Sequence, residues 1–358
     1  MKARHLSYLL TALVLPGFYH LHAHDVGHAH HDHDAPTAEP LRFQAEGSAP
    51  ANINHPATGE GRWTFVAVKD VLPVPEKAQP KVPGAHGTLV VDTERDTVFW
   101  GLENVGWVAF ADQLKRSWIV DGDPALSEGN LHGADLLVRD GKLPLVIVAD
   151  NVQGEVYLSD TNFKDVKKVG WPGKAPYEQA GQFHPTDAAF VGADSAYVTD
   201  GYGAAFFMPL TTEPFAYHGE AFGGKSMSQT PHGITWDSKS FSLVVSARPE
   251  GQLKRWSEHE GFTQVMGLPP GSTVCDIDIR GDYALAPCLD GPDRTPGPIY
   301  VINLRTRTVV STLHPKKDLG FDLAQHIHDA AWYEANGELY VLFTNWNPGG
   351  IGAMKLVR

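Results

Sequence analysis

The chain has 358 residues, a formal net charge of −13 and 42% hydrophobic residues, enough to bury a large core in one repeat fold or two ordinary domains. Its acidity argues against nucleic acid or an anionic membrane surface as partner and tolerates cationic ligands. Gly 36 and Pro 26 point to many tight turns, and only two cysteines occur, Cys275 and Cys288.

In chain order, Met1–Arg4 reads as a basic leader. Tyr8–Phe18 is an apolar stretch too short to span a bilayer, and Leu21-His22-Ala23 stands where a signal would be cleaved. Residues 1–23 are therefore expected to be a signal peptide. No later segment is long and apolar enough to cross a membrane. The expected location is periplasmic or secreted, with no membrane span after the signal is removed.

Residues 24–34 follow as HDVGHAHHDHD. His24, His28, His30, His31 and His33 lie there among three aspartates. Imidazole is a common ligand for Zn, Cu and Ni, so this tail is expected to capture or buffer a divalent metal ion; a solvated polar leader is the plain alternative. Residues 35–60, rich in Pro, Ala, Gly and Asn, read as a linker.

From residue 61 on, six segments begin alike: His86-Gly87, His132-Gly133, His184-Pro185, His232-Gly233, Cys275-Asp276 and His328-Asp329. They recur at intervals of 43 to 53 residues, near the length of a four-stranded propeller blade. In each, an apolar strand leads to a polar turn, such as Arg139-Asp140-Gly141 or Glu334-Ala335-Asn336-Gly337, and a second apolar strand follows. The fold class is all-β, a six-bladed β-propeller over 61–358. The last blade has room for about three strands, so Arg62–Val68 is expected to supply its fourth and close the ring. Cys275 and Cys288 fall in consecutive strands of one blade, either disulfide-bonded or both buried and free.

The inner strand of each blade lines the channel, so equivalent residues form a ring. His86, His132, His184, His232 and His328 gather at one depth, with His326 two residues before His328 on the same side of an extended chain. Three imidazoles facing one point make a zinc donor set with an open position. The alternative is that His-Gly is a turn motif whose imidazole caps backbone groups. Tyr202 and Arg248 fall after strands at the same rim. The phenol is a candidate base beside a cation and the guanidinium a candidate clamp for a substrate carboxylate. The plain alternatives are an aromatic lid and a blade-to-blade salt bridge with Asp187 or Asp200. Asp187 and Asp329 stand near the strand starts as candidate acceptors for ligand imidazoles.

His184-Pro185-Thr186-Asp187, Tyr197–Gly203, Pro231-His232-Gly233-Ile234, Ser246-Ala247-Arg248 and His328-Asp329 resemble, in that linked order over roughly residues 125–358, peptidyl-α-hydroxyglycine α-amidating lyase and its bacterial NHL-repeat relatives. The resemblance implies a six-bladed propeller whose central Zn is held by His132, His232 and His328, with Tyr202 as catalytic tyrosine, Arg248 as one active-site arginine and a structural Ca. Its reaction removes a glyoxylyl group from a hydroxylated glycine. Gly203 stands where the family has a cysteine, and the family's second arginine has no clear match, Arg62 being the one candidate. The tail and the paired cysteines also resemble periplasmic propeller-type zinc metallochaperones. Three functions follow: a zinc-dependent, lyase-like enzyme acting on a small-molecule or peptide substrate that bears a carboxylate, a metallochaperone serving a metal-acceptor protein, and a metal-free interaction scaffold.

Overall fold

The computed structural model describes residues 36–51 and 53–358; the expected signal peptide and the histidine-rich tail lie outside them. The regular secondary structure of the described chain is nearly all strand, arranged as six mainly antiparallel sheets in sequence order around a central channel. The inner strands of blades 1 to 6 are Leu89–Asp92, Leu131–Leu137, Asp187–Phe190, Pro231–Asp237, Asp278–Arg280 and Ile327–Ala335. Short runs such as LVIVAD and SLVVSA, bounded by Gly- and Asp-containing turns, form the strands behind them, because β-branched and apolar side chains pack well between neighbouring sheets.

Closure occurs as the repeat arithmetic predicts. Blade 6 takes Ile327–Ala335, Glu338–Asn345 and Gly350–Leu356 from the C-terminal end, then Phe65–Ala67 from the N-terminal end. Phe65 pairs with Leu356 and Ala67 with Met354, antiparallel. Trp63 and Phe65 are buried with Trp332, Val341 and Met354 in one core cluster, so the seam is packed as well as hydrogen-bonded.

The segment read as a linker lies along the propeller. Glu39–Pro40 pairs in parallel with the outer strand of blade 4 and Arg42–Phe43 in parallel with that of blade 5, while Ala57–Thr58 pairs antiparallel with Phe65–Ala67. Each run has only two residues, which is why composition alone reads it as linker. They satisfy outer edges that would otherwise be open.

Carboxylates latch the blades near the axis. Asp135 of blade 2 accepts the Phe190 N–H of blade 3 (2.8 Å), and Asp187 of blade 3 accepts Ile234 N–H of blade 4 (2.7 Å). Asp278 of blade 5 accepts Trp332 N–H of blade 6 (2.6 Å), and Asp329 of blade 6 accepts Leu89 N–H of blade 1 (2.6 Å). These contacts also fix which residues are equivalent. At the upper mouth of the channel the six matching positions are Gly87, His132, Thr186, His232, Cys275 and His328.

Candidate metal centre

Alternate blades 2, 4 and 6 thus place an imidazole at the same level. His132, His232 and His328 are each 2% exposed. Ring centroids are 4.8 Å apart for His132–His232, 4.7 Å for His132–His328 and 5.1 Å for His232–His328. Blades 1, 3 and 5 carry the shorter Gly87, Thr186 and Cys275, and a side chain from the upper loops stands beside each. His86 precedes Gly87, the Tyr202 turn is tied to Thr186 through Gly201 N–H (3.2 Å), and the Arg248 guanidinium lies beside the Cys275 thiol.

The His-Gly pairs have a packing cause. A Cβ at Gly133 would sit 2.4 Å from Asp187 Oδ1, and one at Gly233 would sit 2.4 Å from Asp276 Oδ1. Glycine after the histidine lets the next blade's carboxylate approach the strand. In blade 6 the carboxylate is on the strand itself, as Asp329.

Hydrogen bonds orient the imidazoles. His132 Nδ1 donates to Thr186 O (2.7 Å) and His232 Nδ1 to Cys275 O (2.8 Å), in both cases the equivalent residue of the next blade. A neutral ring that donates from Nδ1 keeps a lone pair on Nε2. In blade 1 the matching carbonyl, Gly87 O, accepts from Thr344 Oγ1 instead (3.2 Å), and both nitrogens of buried His328 are without a partner. Burial holds His132, His232 and His328 well below the usual imidazole range; His86 and Arg248 add to this by charge. His86, half-buried, is pushed down to about 4, chiefly by burial and then by Arg248. All four rings are neutral donors near pH 7.

His86 completes the cluster, with its centroid 4.7 Å from that of His132 and 4.4 Å from that of His328. Among the described residues, His86, His132 and His328 form the group whose potential ligand atoms all lie within 4.8 Å of one another. Tyr202 OH lies 2.9 Å from His232 Nε2, 3.2 Å from His132 Nε2 and 3.1 Å from Arg248 Nη1, which donates to it. One hydroxyl proton cannot serve two Nε2 lone pairs, so one of these contacts sets lone pair against lone pair. A cation between the rings would resolve that conflict and would partner His328. The donor set therefore fits zinc, whose ligands include neutral imidazole.

The other expected residues fall elsewhere. His184 faces Asn151 O through Nδ1 (3.2 Å) and Gly181 O through Nε2 (3.1 Å), so neither nitrogen is turned to the cluster. His326 donates from Nδ1 to Leu289 O (3.0 Å) at the mouth, with Asp290 at 3.5 Å. Arg248 pairs with Tyr202 and packs over its ring (5.2 Å) rather than bridging to Asp187 or Asp200. Burial raises the Tyr202 phenol and Arg248 opposes this, so without a metal it is a hydrogen-bond donor and not a base. Arg62 pairs with Glu46 and packs over Trp63 and Tyr283, in a cleft with Leu356 and Arg358. Cys275 and Cys288 are free and buried. Val274 pairs with Cys288 across the strands, so the alternation of side chains sends Cys275 to the opposite side. One further residue at the mouth is Trp346. It lies 5.4 Å from His86 and is 36% exposed, and nothing in the repeat pattern marks it because it follows a second strand.

Below the imidazoles the channel narrows to about 10 Å³ between His132, His232, His328 and the carboxylates of Asp187, Asp276 and Asp329, room for about one water. It then widens into a chamber of about 470 Å³ that opens on the other face.

No protein-family model matches the chain, and no curated protein matches it. Solved structures resemble it in fold. A luciferin-regenerating enzyme aligns over 78% of this chain and 94% of its own, with a TM-score of 0.54 and 10% identity. A nidogen/laminin complex aligns over 77% and 97%, with a TM-score of 0.52 and 10% identity. Sqt1 of Saccharomyces cerevisiae aligns over 74% and 69%, at 0.48 and 9%. At such identities the first two likenesses show the fold alone, and the third, below a TM-score of 0.5, carries no argument.

Proposed function

We propose that this protein is an exported zinc-binding propeller that takes up one divalent ion in its channel mouth and holds it for delivery to an acceptor protein. The observation that carries this is the closed donor set. The ligand atoms of His86, His132 and His328 lie within 4.8 Å of one another, His328 has no partner, and His232, its ring centroid 4.8 Å from that of His132, would be the fourth ligand. Catalytic zinc sites keep three protein ligands and an open position, whereas retained zinc has four protein ligands. The throat beneath the imidazoles, about 10 Å³, admits no substrate from below. The tail His24–His33 supplies further imidazoles in the same chain.

The test is zinc content of the full chain after dialysis against a chelator, with and without His132→Ala. The expected result is one zinc fewer in the variant and, from the wild type, transfer of that zinc to a stronger chelator. Equal zinc in both proteins contradicts the reading.

A second reading, a lyase-like enzyme, is favoured by the contact between Tyr202 and Arg248. Tyr202 also walls a groove of about 650 Å³ with His184, Phe206 and Lys225. In that reading zinc would supply Lewis acidity, Arg248 would hold a carboxylate and Tyr202 would move a proton. Tyr202→Phe separates the two. Metal retention within about 1 kcal/mol of wild type and intact transfer are expected for a carrier, since one hydrogen bond is lost. Turnover of an α-hydroxyglycine peptide by wild type, abolished in the variant, would establish the enzyme. The resemblance also implies calcium, which takes six to eight oxygens. The channel carboxylates of Asp135, Asp187, Asp278 and Asp329 are engaged as blade latches, so no calcium role is derived from them.

A further inference from the structure

The centre has one electrostatically open side. The throat beneath the imidazoles, about 10 Å³, is too narrow for a hydrated ion, so the ion enters from the upper mouth. On the blade 3–4 side that mouth is occupied by Tyr202 and by Arg248, whose positive charge has no acidic partner within salt-bridge distance in the described structure and repels a cation. The blade 5–6 side differs. There Asp290, with 34% of its side chain exposed, lies 3.5 Å from His326 Nδ1. His326 Nδ1 donates to Leu289 O, which leaves its Nε2 lone pair as a ligand atom. Trp346 bridges from there to the centre. Its backbone N–H donates to the backbone carbonyl of His326 (2.9 Å), and its ring lies 6.0 Å from that of His326 and 5.4 Å from that of His86. His86 is the one of the four clustered histidines that sits on a loop and retains exposure; His132, His232 and His328 are buried on inner strands or at their starts.

We propose that Asp290 and His326 form an outer cation station on the blade 5–6 side of the mouth, from which the ion passes under Trp346 to His86 and then to the strand-borne histidines. The inference rests on the metal-binding reading and adds the route and the residues that set its rate. Asp290 draws the hydrated cation and His326 exchanges one water for imidazole. His86, touching both Trp346 and His328, transfers the ion inward. No charge changes sign along the route, and each step replaces one ligand by another. The station explains a histidine whose ring is outside the central cluster and a carboxylate with no strong partner.

The test is stopped-flow loading of Zn²⁺ into the full-length protein, read by tryptophan emission, with Trp346→Phe to assign the signal. Asp290→Asn and His326→Ala are expected to slow loading severalfold while zinc content at equilibrium stays at the wild-type value. His132→Ala is expected to remove that content. If both station variants load at the wild-type rate, the route is wrong although the centre stands. If wild type retains no zinc that depends on His132, the centre and the route fall together. A parallel series in rising salt checks the electrostatic part: the wild-type rate falls with salt, and the Asp290→Asn rate falls less. Equal salt slopes would contradict a steering role for Asp290.

Discussion

Two layers of buried ionisable groups stand one above the other in the channel, and they are built on opposite principles. In the carboxylate layer, Asp187, Asp329, Asp135 and Asp278 each accept a backbone N–H from the next blade. In the histidine layer, His328 has no partner at either nitrogen, and His132 and His232 crowd one hydroxyl. Burying a polar group is costly unless it is hydrogen-bonded. A layer whose groups are satisfied within the protein is structural. A layer left short of partners is one that something else completes.

Substitutions should separate the two layers. The largest effect is expected for Asp187→Ala, which strips the acceptor from Ile234 N–H and Ala188 N–H in a fully buried place. A loss of about 3 kcal/mol follows from two orphaned donors, checked by denaturant unfolding of the metal-free protein. A loss below about 1 kcal/mol would mean that the carboxylates are not latches. Next is the metal itself. Zinc at about 100 times its Kd should stabilise the protein by about 2.7 kcal/mol, and His328→Leu should abolish that gain.

The layers also titrate in opposite senses. The unfolded imidazole value is near 6.5, while folded His86 is held near 4 and the three buried rings lower than usual. Between those values the unfolded chain binds more protons, so the histidine layer costs stability as pH falls below about 6.5. Burial raises Asp135 to about 6 and Asp278 to about 7 from an ordinary 3.8. Their contribution is full below 3.8 and is lost as pH rises through about 6 to 7. Both layers act between about pH 4 and 7 with opposite slopes, so Asp278→Asn should make the melting temperature rise more steeply with pH across that window, and His86→Gln should make it rise less. Identical profiles for the two variants would erase the distinction. The smallest effect is expected for His328→Leu in metal-free protein. Removing two unpartnered nitrogens should leave stability unchanged or raise it by about 1 kcal/mol, by the same unfolding measurement.

Much of this architecture was legible in the sequence. The recurring strand starts mark six blades, and the short last repeat calls for the N-terminal strand that Phe65–Ala67 provides. The histidines of blades 2, 4 and 6 were found in register because each opens or nearly opens its strand. In blade 3 the motif starts at His184, yet the ladder begins with Thr186 N–H to Thr199 O (2.8 Å), so the ring position is Thr186 and His184 turns outward. In blade 1 His86 stands one residue before the ring position and reaches the cluster from above. Hydrogen-bond register decides which residue faces the axis, and a motif carries no register. The partners of Arg248 and the role of Trp346 depend on which loops meet over the mouth, contacts between blades far apart in sequence that no local pattern encodes.

In the proposed metal centre the imidazoles of His86, His132, His232 and His328 would close around one metal ion. Anomalous diffraction at the zinc edge from zinc-loaded crystals tests it most directly, since it locates the ion whatever the tail also binds. One strong peak is expected at the channel mouth, about 2.0–2.1 Å from imidazole nitrogens of at least three of these residues. Zinc found elsewhere, with no peak at the mouth, would contradict it.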